Sequence, residues 1–226
     1  MTIGDVIDTL VPAFQAIGYA FSPILLLPII YIFFNKINSL ENFSKALVRT
    51  IDSISFWLGE LTKWLLPILV LTIAFSVFAL SIFGQSWTKL FESAEYLHAT
   101  IIMLGAAATL LAGQHVRVDV FHTNMDDKAR ALVDFIGFYA LLLPVCLIIS
   151  WNSQSFVSFA WRIFEGSAEA DGIRGEYLLK TLIPIFAVIM IAQGLAIAIR
   201  AAMCLNEQTR PDRPPHTPPF FTQKDS

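Results

Sequence analysis

The chain has 226 residues, of which 56% are hydrophobic and 15% are charged, and its net charge is −3. This composition excludes an ordinary soluble domain, since such domains carry fewer apolar and more charged residues. The small net charge gives no reason to expect nucleic acid as a partner, and two cysteines make neither a disulfide framework nor a metal site. The sequence therefore predicts an integral membrane protein.

Five uncharged stretches are long enough to cross about 30 Å of hydrocarbon at about 1.5 Å per residue. The first carries Pro23 and Pro28, which are expected to kink it or to restrict it to part of the membrane. We predict an all-α polytopic membrane bundle with an extra N-terminal helix (1–35), a four-helix core (64–205) and a proline-rich tail (206–226). The stretches lie between Asp8 and Lys36, Lys63 and Lys89, Glu95 and Arg117, Asp134 and Arg162, and Lys180 and Arg200.

Residues 36–63, between the first two stretches, show a clear helical periodicity. Charged side chains, among them Asp52, take the faces that the apolar residues leave free. This pattern predicts an amphipathic helix, which either lies flat in the cytoplasmic headgroup layer or packs on neighbouring spans. The apolar residues recur at three- and four-residue steps: Ile37, Leu40, Leu47, Ile51, Ile54, Leu58 and Leu61.

The third stretch contains a line of small residues at four-residue spacing, formed by Gly105, Thr109 and Gly113. Such a line lets another helix backbone approach closely in a bilayer. The fifth stretch has a comparable position, where Gln193 adds a hydrogen-bonding group beside Gly194. We predict that both stretches contact other helices and that the bundle is organised around the third.

Polar residues stand at the outer ends of the same two stretches. Glu92, Glu95 and His98 share one helix face and are compatible with a metal or proton site. Their position at the membrane edge, where ionisable groups are tolerated, favours a hydrogen-bonded cap or a subunit contact. Lys180 is expected to extend to the interface rather than bind a ligand.

Beyond Gly113 the residues alternate, with valines on one side and His115, Arg117, Asp119 and Phe121 on the other. This alternation predicts an extended segment in which the arginine and the aspartate can pair. A large outside loop is expected at residues 151–177. Placing the N-terminus in the periplasm and the C-terminus in the cytoplasm puts 11 of the 15 basic residues on the cytoplasmic side.

The sequence gives no support for catalysis or for a cofactor. No span carries an acidic or basic residue at its centre, and the deepest polar side chains are those of Gln193, Thr109 and Ser76. A coupled transporter normally shows polar residues or broken helices at mid-membrane. Motifs for nucleophilic catalysis, phosphate binding and zinc are absent from the sequence, and the histidines are placed so that no two can face each other across a haem.

The stretch EYLHATIIMLGAAATLLAGQHVRVDVFH resembles the small membrane subunit of tripartite ATP-independent periplasmic (TRAP) transporters. Gln114 stands where that family usually has glycine before the histidine. The resemblance continues through ALVDFIGFYALLLP and LLKTLIPIFAVIMIAQGLAIAIR, and it covers roughly residues 51–201. The forms EYLHA, EGSAE and LLKTLIP look most like the branch named for mannitol or chloroaromatic compounds.

This resemblance implies a non-enzymatic subunit of the bacterial inner membrane. In such systems a periplasmic binding protein captures an organic acid or a related solute, and a large membrane subunit moves it inward with a sodium gradient. The small subunit forms a helical scaffold in the lipid bilayer against the large one. His115, Arg117, Asp119 and Phe121 match the family's signature, and we hypothesise that they hold the cytoplasmic connection and its contact with the partner.

Two alternatives remain at this point. One is a self-contained small transporter or channel with its pore at a homo-oligomer axis. The other is a membrane-anchor subunit of a redox complex, which requires histidines placed to bind haem.

Overall fold

The computed structural model describes residues 22–33, 38–84, 86–113 and 125–206. These ranges are helical and contain no strand, which confirms the all-α fold class. A 3₁₀ segment, Ser22–Leu26, precedes α1, and a π-helical turn, Phe138–Leu142, joins α4 to α5. The helices are α1 (Leu27–Phe33), α2 (Asn38–Phe83), α3 (Thr88–Leu111), α4 (Asp127–Gly137), α5 (Leu143–Ile163) and α6 (Glu176–Leu205).

Four helical stretches in the described ranges are long and apolar enough to cross a membrane: α2, α3, α4 with α5, and α6. They correspond to the second to fifth predicted stretches, so the polytopic membrane bundle is confirmed. Helices suit this environment because they satisfy every backbone hydrogen bond within the segment. From the first stretch only a shorter apolar helical segment, Ser22–Ile32, is described. Residues 1–21 lie outside the described residues, so a crossing there stays a prediction.

Helix α2 is a single helix of 46 residues that continues through Pro67. At about 1.5 Å per residue it is about 69 Å long. The amphipathic segment and the second stretch are thus parts of one helix, and the predicted boundary between residues 63 and 64 falls inside it. In the N-terminal half Val48 and Asp52 are fully buried, which favours packing on neighbouring helices over a position flat in the headgroup layer.

Helix α6, rather than α3, lies at the centre of the bundle. It contacts all five other helices, and nearly every residue from Gln193 to Cys204 is buried. Its small residues Ala196, Ala198 and Ala202 are completely buried and allow close approach of the surrounding helices. The main core joins Leu27 and Tyr31 of α1, Val48 of α2, Phe138, and residues 195, 196, 198, 199, 202 and 203 of α6.

Helix α1 is tied to the end of the bundle where α6 finishes. Asn206 donates a hydrogen bond from its side-chain amide to the Tyr31 carbonyl oxygen at 2.5 Å. Nearer the middle of the bundle, the hydroxyl of Tyr139 in the π-helical turn donates to the Leu25 carbonyl oxygen of the 3₁₀ segment at 2.6 Å. We call the end of the bundle where α6 finishes the tail end, and the opposite end, at residues 164–175, the loop end.

Helix α4 begins at the tail end behind Asp126, whose carboxylate accepts a hydrogen bond from the Ala129 amide at 3.2 Å. The helix widens into the π-helical turn, where the Leu143 amide donates to the Phe138 carbonyl, five residues earlier. Pro144 follows and has no amide hydrogen to continue an α-helical ladder. A wide turn at this place accommodates the proline without ending the helical path.

The predicted outside loop 151–177 is too long, because α5 continues to Ile163 and α6 begins at Glu176. The polar residues at its start are helical, and their side chains bond to carbonyl oxygens of the same helix. Asn152 donates to the Ile148 carbonyl at 3.0 Å, and Ser153 donates to the Ser150 carbonyl at 3.0 Å. Phe164 then ends α5 in a left-handed conformation, with φ of 48°. The connection between α5 and α6 is therefore only residues 164–175.

Candidate functional site

A buried hydrogen-bond network joins α2 to α6. Gln193 is completely buried, and its carboxamide makes two bonds to α2. The Ser55 hydroxyl donates to Gln193 Oε1 at 2.7 Å. Gln193 Nε2 donates to Asp52 Oδ1 at 3.2 Å. The amide oxygen accepts one hydrogen bond and the amide nitrogen donates another, so this buried polar side chain has partners inside an apolar bundle.

Arg200 completes the network two turns further along α6. Its guanidinium donates through Nη1 to Asp52 Oδ1 at 3.3 Å and through Nη2 to Asp52 Oδ2. The Asp52 side chain is 1% exposed and that of Arg200 is 12% exposed. Removing two charges from water is costly, and a two-pronged pair with a further donor from Gln193 offsets that cost. The network fixes the position of α2 along α6.

The amphipathic pattern places Asp52 on a face that the apolar residues leave free, and in the structure this face is buried at Asp52. The side of α2 that packs inward is small or polar, whereas Ile54 and Leu61 are about half exposed. Helices in lipid contact one another through small and hydrogen-bonding residues, since lipid already solvates large apolar side chains. The buried residues of this side recur at three- and four-residue steps, and that spacing is visible in the sequence. They are Ser44, Val48, Asp52, Ser55, Gly59 and Thr62.

Small residues bring α2 and α3 into close contact. A Cβ atom added to Gly59 meets Ala108 Cβ at 2.6 Å, and one added to Gly105 meets Thr62 Oγ1 at 3.4 Å. The small residues of α3 therefore allow the close approach of α2, a helix of the same chain. Thr109 lies exposed beyond this contact, and its hydroxyl donates to the Ala106 carbonyl at 2.7 Å.

Two further glycines of the predicted set have distinct local roles. Gly194 lies against the π-helical turn, where an added Cβ meets Phe138 Cδ2 at 2.7 Å and Leu142 Cδ2 at 2.9 Å. Gly113 follows α3 with a φ of 70°, a left-handed conformation that commonly ends helices and that favours glycine. The first glycine permits close packing, and the second sets where α3 stops.

Glu92 anchors the connection between α5 and α6. Its carboxylate accepts hydrogen bonds from the Ile173 amide at 2.5 Å and from the Ser167 hydroxyl. A Cβ atom added to Gly172 meets Glu92 Oε1 at 2.6 Å, so the loop backbone passes directly over the carboxylate. Of the alternatives considered for this residue, the geometry matches the hydrogen-bonded cap.

Lys180 also has partners at the loop end. Its ammonium group pairs with Glu165 at 2.5 Å and lies 4.2 Å from the centre of the Phe156 ring. Nearby, the Trp161 indole donates to the Thr181 hydroxyl at 2.8 Å. The expectation that Lys180 merely extends to the interface is therefore incomplete, because the side chain ties the loop to the start of α6.

Glu95 and His98 do not converge with Glu92. Both are exposed, and neither makes a hydrogen bond or an ion pair with a residue that the structure describes. Nowhere in the described ranges do three or more acidic, histidine or cysteine side chains group so that they can hold a metal ion. The three residues share a helix but face different surroundings, so a joint metal or proton site has no support in this geometry.

The signature residues His115, Arg117, Asp119 and Phe121 belong to the segment 114–124, which lies outside the described residues. The extended conformation and the role predicted for this segment stay predictions.

Comparison with known families gives a single clear result. Residues 69–204 match the family model described as tripartite ATP-independent periplasmic transporters, DctQ component. No curated protein and no solved structure matches the chain. The matched range begins in the spanning half of α2 and ends in the last turn of α6, so it contains the loop anchored by Glu92 as well as Gln193 and Arg200. Since the match covers more than half of the chain, this multi-pass protein of the bacterial inner membrane belongs to the DctQ family, the small membrane subunits of TRAP transporters.

Proposed function

We propose that this chain is the scaffold for the large membrane subunit of a TRAP transporter that takes up an organic acid or a related solute. Uptake is driven by a sodium gradient and depends on a periplasmic binding protein that docks transiently. The family match carries this proposal, because the DctQ component operates with a large membrane subunit and a binding protein. The mannitol or chloroaromatic branch stays a prediction, since the match does not distinguish branches.

The use of polar side chains inside the bundle supports a scaffolding role. Asp52, Ser55, Gln193 and Arg200 bond to one another and hold α2 on α6. Ser76, the other deep polar residue of α2, donates to the carbonyl of Thr72 in its own helix. Side chains that are committed to internal bonds are suited to holding the helices in place rather than to binding a moving ion.

The outward surface supports the same role. Helices α2 and α5 and the π-helical turn before α5 present many exposed apolar side chains. Those that are at least two thirds exposed include Trp64, Leu71, Leu141 and Trp151. Such surfaces suit lipid and other membrane helices. We further propose that the loop end faces the periplasm and the tail end the cytoplasm, which agrees with the distribution of basic residues.

Reconstituted transport tests the function. Proteoliposomes are prepared with this chain alone, with the large subunit alone and with both, and each receives the binding protein, candidate organic acids and a sodium gradient. We expect uptake only when both membrane subunits are present. Uptake by this chain alone overturns the proposal in favour of a self-contained transporter, and full uptake by the large subunit alone removes the need for a scaffold.

A further inference from the structure

Three buried polar atoms near the tail end have no hydrogen-bond partner among the residues that the structure describes. They are the hydroxyl oxygens of Tyr31 and Ser44 and the Nε atom of Arg200. Tyr31 is 4% exposed and Ser44 is fully buried. An unpaired buried polar group is costly, and neither lipid nor an apolar core can bond to it, so such groups are nearly always paired in native proteins. The three atoms therefore require a partner other than the surrounding side chains.

The three residues belong to helices that meet in one core, where α1 and α2 pack against the last turns of α6. Tyr31 of α1 and Val48 of α2 share this core with Ile199 of α6. Ser44 precedes Val48 by one turn on the buried side of α2, and Arg200 directly follows Ile199. The unpaired atoms are thus gathered at the junction of three helices.

Comparable side chains elsewhere in the chain use the backbone as their partner. The Ser76 hydroxyl donates to the carbonyl four residues earlier at 2.7 Å, which is common for serine in a helix. The Tyr139 hydroxyl donates to the Leu25 carbonyl at 2.6 Å. Ser44 and Tyr31 make no such bond to a described residue, so their hydroxyl groups are available to a further molecule.

The chemistry of the three atoms indicates what that molecule is. Arg200 Nε can only donate a hydrogen bond, whereas each hydroxyl can both donate and accept. The molecule therefore accepts from the arginine, and it is small because both hydroxyl groups are buried. It is uncharged, because the guanidinium already faces the carboxylate of Asp52 and a further ion would lose its hydration in the apolar core. Water meets these conditions.

We infer that ordered water is built into the junction of α1, α2 and α6, where it accepts from Arg200 Nε and bonds to the hydroxyl groups of Tyr31 and Ser44. Buried water typically makes about three hydrogen bonds to polar groups that otherwise have no partner. This water joins α1 to the two helices that Asp52 and Arg200 hold together. The inference concerns the packing of this chain and does not depend on the proposed transport function.

Removal of each hydroxyl group is the first test. In Tyr31→Phe and Ser44→Ala, a hydroxyl bonded to water loses a hydrogen bond, whereas a hydroxyl without a partner loses only its penalty for burial. We expect each variant to lower the midpoint of thermal unfolding by about 2–4 °C, the shift for one hydrogen bond in a chain of this size. Tyr139→Phe, whose hydroxyl has a direct partner, is the positive control. An unchanged or raised midpoint in either test variant contradicts the inference.

Radiolytic labelling of the wild-type protein is the second test, and it reports on the water itself. Full-length protein in lipid nanodiscs is irradiated with X-rays, which form hydroxyl radicals from water, and side-chain oxidation is measured by mass spectrometry. Phe138 is the control, because it lies in the same core and is 3% exposed. We expect Tyr31 to be oxidised about fivefold faster than Phe138 or more, since buried water stays beside its hydroxyl. Equal rates for the two residues overturn the inference.

Isotope dilution distinguishes ordered water from bulk water that enters when the helices open. The protein is mixed with water labelled with oxygen-18 and irradiated after increasing delays. We expect the oxygen incorporated at Tyr31 to become labelled more slowly than that at Phe164, which is 46% exposed in the connection between α5 and α6. Equally fast labelling at both positions shows that the water comes directly from bulk, and it overturns the inference.

Discussion

Asp52 and Arg200 lie 148 residues apart in the chain, yet the guanidinium of Arg200 meets the carboxylate of Asp52 through both of its terminal nitrogens. The pair lies between α2 and α6, and Gln193 adds a third hydrogen bond to the same carboxylate. This contact joins the amphipathic half of α2 to the most buried helix of the bundle. It is the main reason to treat residues 38–63 and the spanning helices as one packed unit.

Breaking this pair from one side is expected to be costly. Asp52→Ala leaves the Arg200 guanidinium buried without its counter-charge, and we expect a loss of about 3–5 kcal/mol in the free energy of unfolding. Asp52→Ala combined with Arg200→Met removes both charges and is expected to cost less. Lys63→Ala, which breaks the exposed pair with Glu60, should cost at most about 1 kcal/mol. Unfolding in detergent, followed by circular dichroism, measures all three. A double variant as unstable as Asp52→Ala alone contradicts this account.

The contact between Gly59 and Ala108 predicts a compensating exchange. Gly59→Ala places two methyl groups 2.6 Å apart and is expected to cost about 1–3 kcal/mol, because α2 and α3 must separate. Adding Ala108→Gly moves the methyl group to the other helix and should restore most of the stability. Gly137→Ala is the control: a Cβ there meets nothing within 4 Å, so better helix propensity should stabilise the protein by up to about 1 kcal/mol. Thermal unfolding is measured for the wild type, Gly59→Ala, Gly59→Ala with Ala108→Gly, and Gly137→Ala. If the double variant is no more stable than Gly59→Ala alone, the prediction is refuted.

Loss of the Glu92 carboxylate is expected to loosen the connection at residues 164–175. Glu92→Ala removes the acceptor for the Ile173 amide and the Ser167 hydroxyl. We expect hydrogen exchange of peptides containing Ile173 to accelerate on the order of tenfold, since the amide loses a charge-assisted bond. Glu95→Ala, one turn away, should leave exchange in the loop unchanged. Equal exchange in Glu92→Ala and wild-type protein rules out the anchoring role.

The signature residues Arg117 and Asp119, in the segment 114–124, allow a prediction that needs no assumption about the conformation of that segment. Replacing Arg117 and Asp119 together by Ala should reduce the amount of large subunit that copurifies about fivefold, the equivalent of a loss of about 1 kcal/mol in binding. The loop pair Glu169 and Arg174 offers a matched replacement of one acidic and one basic residue, and it should leave copurification unchanged. If the variant with Ala at positions 117 and 119 assembles and supports uptake like the wild type, the signature residues do not contribute to the contact with the large subunit.

The helices of this protein are predictable from sequence, whereas its polar contacts are not. The apolar stretches of α2 to α6 are evident because a bilayer demands about 20 apolar residues per crossing, and Gly113 marks an end by its conformation. The burial of Asp52 depends on Gln193 and Arg200, which are distant in the chain. An amphipathic pattern assigns a charged residue to water, whereas the spacing of small and polar residues around Asp52 indicates a packed face. Which residues Asp52 bonds to on that face is known only from the packed bundle.

The order in which the chain is made adds a constraint on how the buried pair forms. At a synthesis rate of about 5–20 residues per second, the 148 residues between Asp52 and Arg200 take about 7–30 s to appear. During that interval the carboxylate of Asp52 has been synthesised but its guanidinium partner has not. Since α6 is the last of the described helices to leave the ribosome and contacts all the others, the bundle closes in a late step. We expect that a chain halted before Arg200 keeps α2 accessible to water-soluble reagents at position 52, and that release of the full chain protects it.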